Sequence, residues 1–195
     1  MHFSTSTTIL ALGLGLLPAS ILAAPSSPPN TERATSCTTI YPEYARVSQA
    51  QPVESYLPGF KISQDNGATN KNDMFVEFTV PAGSYGCQLE TYFPAGYPIT
   101  KSGRQDVYIY STDRPVTHSP RGIDVSWAYS PAPVSQVGTT RFESDPTTST
   151  TKVINSFTCQ PKMTYRLSIG RDWSDAGNVE FVQGNGAGLR MTYNC

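Results

Sequence analysis

The feature that most constrains this chain is a series of short segments in which apolar residues occupy every second position. In the segment 74–80, for example, Val76 and Phe78 share one side of an extended chain and Glu77 lies on the other. A period of two is the signature of a half-buried β-strand, whereas no apolar pattern keeps helical spacing for more than about two turns. The other segments with this period are 85–93, 106–110, 123–129, 139–143, 152–158, 163–169, 178–183 and 188–193.

Turn-forming residues separate these segments. Gly, Pro, Asn and Asp favour turns because they adopt or stabilise the required backbone angles. The runs concerned are 65–67, 81–83, 101–103 and 184–186. About ten short strands with turns between them, and no internal repeat, predict an all-β fold that is a single antiparallel β-sandwich, jelly-roll-like in type.

The first 36 residues differ from the remainder of the chain. An apolar run at 9–17 ends at Pro18, and small residues follow up to Ala23. This pattern predicts a secretory signal peptide over 1–23. The run is shorter than the roughly 20 residues that cross a bilayer, so no membrane span is expected. Residues 24–36 are rich in Pro, Ser and Thr and predict a flexible arm, which leaves 37–195 as the folded domain.

Four cysteines, all in the folded region, predict two disulfides. They are Cys37, Cys87, Cys159 and Cys195. An even count in a secreted chain favours disulfides, and the wide spacing is unlike that of structural zinc ligands. Three pairings are compatible with the sequence. Joining Cys37 to Cys195 would fasten both ends of the domain and would leave Cys87 for Cys159, but the spacing does not decide among the three.

Charge and histidine content exclude several classes of protein. The formal net charge is -1, with 14 lysines and arginines, so the chain lacks the clustered positive charge that nucleic acid requires. After the signal segment the only histidine is His118, which excludes histidine-based zinc or copper sites. The oxygen-rich stretch 65–73 lacks the ligand order of a calcium loop and predicts a polar hairpin. No metal and no cofactor are therefore predicted.

The C-terminal third carries the most distinctive sequence. It contains the segment 153–159, then 163–169, and it closes with Leu-x-x-x-Tyr-Asn-Cys at 189–195. This resembles the fungal secreted domain family named after the C-terminal region of the But-two protein, a ubiquitin 3 binding protein. The resemblance covers roughly Cys37 to Cys195 and implies a fungal, extracellular β domain. The family provides no catalytic residues to carry over, and its name implies binding of a ubiquitin-like modifier.

Three glutamates are the candidates for catalysis. A glycosidase needs two carboxyl groups about 5–9 Å apart, and Glu77, Glu90 and Glu180 each lie at the centre of a predicted strand. The alternative is that all three are solvated, since half-solvated sheets place charge outward. His118 lies between two prolines without a nucleophile motif, so it is expected to be a solvated loop residue rather than a catalytic base.

Exposed aromatic rings are the candidates for binding. Tyr108 and Tyr110 alternate with apolar residues and are expected to face solvent, and Trp173 lies in a turn-like segment. Such rings would suit a polysaccharide or a protein partner. Trp127 and Tyr129 share a face with an apolar neighbour and are instead expected in the core.

Together these observations predict a secreted, disulfide-linked β-sandwich that acts as a non-catalytic extracellular or cell-wall binding protein. The expected partner is a cell-wall polysaccharide or an extracellular protein. The alternatives are a polysaccharide hydrolase that uses two of the three glutamates, and a protein that binds a ubiquitin-like modifier.

Overall fold

The computed structural model describes residues 37–195, and within that range every regular element is a strand. The predicted signal peptide 1–23 and arm 24–36 lie outside the described residues. The fourteen strands of the described chain are β1 Thr38–Ile40, β2 Glu43–Ser48, β3 Phe60–Asp65, β4 Thr69–Thr79, β5 Cys87–Phe93, β6 Thr100–Gly103, β7 Val107–Thr112, β8 His118–Ser119, β9 Gly122–Ile123, β10 Pro133–Thr140, β11 Thr150–Phe157, β12 Lys162–Ile169, β13 Gly177–Phe181 and β14 Gly188–Tyr193.

These strands form two main antiparallel sheets that pack as a sandwich. The smaller sheet has the order β1-β14-β5-β11. The larger has the order β10-β7-β12-β4-β3-β13-β6, and β2 also pairs with β4. The short hairpin β8-β9 is separate. The predicted all-β antiparallel sandwich is therefore confirmed.

The main core lies between the two sheets and contains the apolar residues of the alternating segments. Phe78 and Leu167 contribute from the larger sheet, and Leu89 and Met191 from the smaller, all of them inaccessible to solvent or nearly so. Burying one such side chain stabilises the fold by about 1.5–3 kcal/mol. The period of two in the sequence is thus the period of residues that face this core.

A second, smaller core lies on the outer face of the larger sheet, the face that points away from the smaller sheet. Phe75 and Val47 from the sheet pack there against Val116, Ile123 and Val125. The last three belong to the segment 113–132, which covers this face. Consequently β4 is buried on both sides, as strands covered on both faces are.

This covering segment explains the main error in strand assignment. Residues 123–129 alternate as a strand would, yet only Ile123 belongs to one, in β9. The segment crosses over the sheet, so its apolar side chains point inward without a neighbouring strand to pair with. The predicted stretch 139–143 was displaced towards the C-terminus, because β10 runs from Pro133 to Thr140.

Several other strands were not predicted from the sequence. Lys101-Ser-Gly103 was expected to be a turn but lies in β6, an edge strand whose four residues are all exposed and therefore show no alternation. The short strands β1 and β8 and the longer β2 and β3 were not assigned. Their places are set by long-range pairing, such as that of β3 with β13.

Both disulfides join segments that the sheet already places side by side. Cys37 precedes β1 and Cys195 follows β14, its antiparallel neighbour, and these two cysteines are bonded. Cys87 begins β5 and is bonded to Cys159, which follows the adjacent β11. The favoured pairing is therefore correct, and the described chain has no free cysteine. No helix in this part of the chain is long and apolar enough to cross a membrane.

Candidate functional site

The three aromatic residues singled out for binding lie around one loop, residues 170–176, which joins β12 to β13 and is called here the Trp173 loop. Three backbone hydrogen bonds hold this loop. The N–H of Gly170 donates to Asp106 O at 3.0 Å, and Ala176 O accepts from the N–H of Arg104 at 2.9 Å. Ser174 O accepts from the N–H of Gly67 at 2.8 Å. The loop is thus tied to two separate segments, the β6–β7 connection through Arg104 and Asp106 and the β3–β4 turn through Gly67.

Two polar side chains beneath the loop add to this support. Gln64 is buried, and its Nε2 donates to the carbonyl oxygens of Trp173 at 2.9 Å and Asp175 at 2.8 Å. Asn66 Oδ1 accepts from the N–H of Ala176 at 2.9 Å. Buried polar groups gain most when they are paired in this way. Because its backbone is fixed, the loop presents Trp173 in a defined position, which lowers the entropic cost of binding.

Gly170 allows two aromatic rings to meet at the base of the loop. A methyl group placed there would lie 2.8 Å from the Tyr108 ring and 2.9 Å from the Trp173 ring, closer than real side chains approach. Any larger residue would force one ring to move. The absence of a side chain at this position therefore brings the two predicted residues together.

Two arginines stack on the same aromatic group. The Arg104 guanidinium lies 3.7 Å from the centroid of the Trp173 ring, and that of Arg171 lies 4.7 Å from Tyr110. The rings of Tyr108 and Tyr110 are 6.5 Å apart. Cation–π contacts of this kind contribute about 0.5–2 kcal/mol and fix the ring planes. These residues, Arg104, Tyr108, Tyr110, Arg171 and Trp173, are called here the aromatic–arginine surface.

The members of this surface differ in exposure. Trp173 is 38% exposed and Tyr108 is half-buried, with its hydroxyl 3.4 Å from Asp172 Oδ2. Tyr110 is only 7% exposed, so the expectation that it faces solvent is wrong. Its ring does point away from the main core, but Arg171 covers it. Burial raises the pKa of the Tyr110 hydroxyl.

Ion pairs beside the surface balance its positive charge. Arg104 contacts Asp106 at 3.1 Å and Asp175 at 3.3 Å, and Arg141 contacts Asp106 at 2.7 Å. The hydrogen bond from Arg141, together with that from Arg104, lowers the pKa of Asp106. The Asp106 carboxylate therefore remains ionised at neutral pH and offsets the charge of the two arginines that contact it.

The three candidate catalytic glutamates are not brought together. Glu77 lies on the outer face of the larger sheet and Glu90 on the outer face of the smaller one, since each alternates with residues of the main core. Glu180 is exposed and lies 3.9 Å from Lys61. The expectation that all three are solvated is wrong for Glu77 and Glu90, which are 2% and 3% exposed.

Glu77 is the centre of a polar cluster that sequence reasoning missed. Its Oε2 accepts hydrogen bonds from the Thr164 hydroxyl at 2.7 Å and the Val116 N–H at 3.3 Å. Its Oε1 lies 3.0 Å from Lys162 Nζ and 3.4 Å from His118 Nε2. His118 also lies 3.5 Å from Glu43; it is exposed, as expected, but it lies in β8 and not in a loop. The cluster attaches the covering segment to the sheet.

A signal for this arrangement was present in the sequence. Met74, Phe75 and Val76 are three consecutive apolar residues, and all three are inaccessible to solvent. Such a run breaks the alternation and indicates a strand covered on both faces. A carboxylate two residues further on the same strand would then be buried as well.

Glu90 is held in a separate ion pair on the smaller sheet. Its Oε1 lies 2.6 Å from Arg190 Nε, and its Oε2 accepts from Gln88 Nε2 at 3.1 Å. Arg190 also stacks on the ring of Tyr92 at 4.2 Å. With its neighbours occupied in this way, Glu90 completes a structural network.

The remaining aromatic pair divides between core and surface. Trp127 is half-buried against the second core, 4.8 Å from the Arg166 guanidinium. Tyr129 is 75% exposed, so the expectation that it belongs to the core is wrong. The covering segment turns away from the sheet after Trp127, which leaves the Tyr129 ring in solvent.

Comparisons with known proteins assign no role to these residues. A scan against protein-family models found no match to the chain, and a search of curated proteins found none either. Within residues 37–195, no group of three or more His, Cys, Asp or Glu side chains is arranged to hold a metal ion. The chemistry of the aromatic–arginine surface therefore carries the functional argument.

Proposed function

We propose that this protein is a secreted, non-catalytic binding protein of the But-two type, that it works in the extracellular space or cell wall of a fungus, and that its aromatic–arginine surface binds polysaccharide. The observation that carries the proposal is the convergence of Trp173 and Tyr108 on Gly170, on a loop whose backbone is fixed. Two disulfides are consistent with an extracellular protein.

The chemistry of the surface fits a sugar chain. A sugar ring has an apolar C–H face that packs on an aromatic ring, and hydroxyl groups at its edge that need donors and acceptors. Trp173 supplies the ring, while Arg104, Asp172 and Asp175 lie near enough to supply hydrogen bonds. A few polar groups around an apolar contact is the usual composition of a ligand site. The hydrolase hypothesis has no comparable support, because its three glutamates lie apart.

Pull-down on insoluble chitin and insoluble β-glucan tests the proposal. Wild-type protein should be retained on at least one of them, and Trp173→Ala should weaken retention about tenfold or more, as loss of a central aromatic contact does. Tyr129→Ala is the matched control, because it removes an exposed aromatic ring outside the surface. The proposal fails if neither polymer retains the wild type, or if the two variants behave alike.

A further inference from the structure

Two polar clefts adjoin the Trp173 loop and lie next to one another. The first has a volume of about 370 Å³ and is lined by Arg104, Asp106 and Asp175, among others. The second, of about 360 Å³, is lined by side chains that include Ser102 and Asn178. Both clefts have Gly103 and Ala176 in their walls, so they lie side by side there. The pair is called here the twin cleft.

The boundary between the two clefts is formed by Gly103 and Ala176, with Gly177 beside them. A methyl group on Gly103 would collide with the carbonyl oxygen of Ala176, and one on Gly177 would collide with that of Arg104. Glycine is therefore required on both sides of this crossing. The space that a side chain would take at either position is filled by neighbouring backbone, so the two glycines let the backbones pack closely where the clefts adjoin.

Three of the six buried side-chain atoms that lack a hydrogen-bond partner within residues 37–195 belong to residues that line the twin cleft. Gln64 Oε1 and Asn178 Oδ1 belong to side chains that line the second cleft, and Arg104 Nε belongs to one that lines the first. None of the three has a hydrogen-bond partner within residues 37–195. Gln64 is 2% exposed. Each atom is closed to solvent in the free protein, so a ligand would reach it only after a small side-chain rearrangement. Because buried polar groups are nearly always paired, these three atoms are potential partners for the hydroxyl groups of such a ligand.

The charges of the twin cleft are balanced. Arg104 and Arg141 in the first cleft are paired with Asp106 and Asp175. The second cleft contains one lysine, Lys61, and one aspartate, Asp65. An anionic chain would meet carboxylates as often as cations and would gain no net attraction, whereas hydroxyl groups can donate to the carboxylates and accept from the cations.

We propose that the twin cleft binds an extended, uncharged, hydroxyl-rich glycan, whose sugar units continue from the Trp173 ring through both clefts. This inference rests on the proposed function and names the class of its ligand. Arg104 connects the parts of the site, because it stacks on Trp173 and also lines the first cleft. Asn178 and its cross-strand partner Ser102 mark the far end.

Filling the second cleft tests this directly. Ser102→Trp places a large ring opposite Asn178, and Thr100→Trp is the matched control, because it adds the same ring to the same face of β6 outside both clefts. The probes are soluble β-glucan and chitin oligosaccharides of increasing length, with oligogalacturonate as the charged chain. Affinity of the wild type should rise with length for the neutral series. S102W should weaken binding of the longest oligosaccharides about tenfold and leave the shortest unchanged.

The outcomes separate the two proposals. If the wild type binds no oligosaccharide of any kind, the proposed function fails and the twin-cleft proposal fails with it. If neutral oligosaccharides bind and Trp173→Ala weakens them, but S102W matches the control, only the twin cleft is refuted. Binding of oligogalacturonate as tightly as of the neutral chains also overturns the assignment of an uncharged ligand. Thermal unfolding of both tryptophan variants verifies that each is folded.

Discussion

Replacing Glu77 by alanine should destabilise the fold severely, although the residue lies at the centre of an alternating strand where a solvated charge is normally found. Its side chain is 1% exposed and accepts hydrogen bonds from the Thr164 hydroxyl and the Val116 N–H. Both donors are buried, and alanine would leave them without an acceptor. Val116 lies in the covering segment, so its attachment to the sheet would be weakened as well.

The expected loss follows from these contacts. A hydrogen bond to a charged acceptor stabilises by about 1.5–3 kcal/mol, and an unpaired buried donor costs about 1–3 kcal/mol. Lys162 and His118 add little, because their side chains are 41% and 35% exposed and can be solvated when Glu77 is absent. The total is about 3–5 kcal/mol, because two buried donors lose their acceptor and each unpaired donor costs about 1–3 kcal/mol. For a domain of this size that lowers Tm by roughly 6–20 °C.

Urea unfolding with both disulfides intact measures this difference. Glu180→Ala is the matched control, because Glu180 is a strand glutamate whose side chain is 51% exposed and whose only ion-pair contact is at 3.9 Å. Its loss should be within about 0.5 kcal/mol. Glu77→Gln, which keeps one acceptor oxygen, should fall between the two. Equal stability of the two alanine variants would refute the view that the covering segment buries Glu77.

Three further predictions concern other parts of the molecule. Gly170→Ala should displace the Tyr108 or Trp173 ring, which should weaken glycan retention and change the near-UV circular dichroism spectrum. Gly184→Ala is the control, because an added methyl group meets nothing there, and it should change neither property. Identical spectra for the two variants would count against ring contact at Gly170. Replacing both cysteines of the disulfide that closes 158 residues should cost up to about 5 kcal/mol in urea unfolding, and a loss below about 1 kcal/mol would contradict this. Two backbone N–H groups lower the pKa of Asp145 to about 2, so its stabilising contribution is complete above the ordinary value of 3.8 and is lost as pH falls toward 2. The stability difference between wild type and Asp145→Asn should therefore shrink over that range, and a difference independent of pH would exclude this effect.

The strands that could be predicted are those with one buried and one less buried face. The segments around Phe78, Leu89 and Leu167 alternate because their apolar side chains face the main core. This alternation can be read from the local sequence. The sequence of edge strand β6 shows no such alternation, because both faces of this strand are exposed. The segment after Ile123 alternates but is not a strand, since a covering loop can bury alternate residues without pairing with a neighbouring strand.

The candidate site was likewise predicted only in part from the sequence. That Tyr108 and Trp173 are candidates for binding was predicted from aromatic residues in an alternating strand and a turn-like segment. Their convergence was not, because 65 residues separate them in the chain and the contact depends on the pairing of β7 with β12 and on the backbone at Gly170. Tyr110 was misassigned because no local pattern reveals that an arginine from the loop covers its ring.

By itself, the sequence determined the fold class and the number of disulfides. Alternation and turn residues act over a few positions, and an even number of cysteines can be counted without coordinates. Only the tertiary structure decided which faces are covered, which cysteines meet and which polar side chains are buried. These properties depend on contacts between residues far apart in the chain, such as Glu77 with Thr164 and Cys37 with Cys195, and a local pattern cannot contain them.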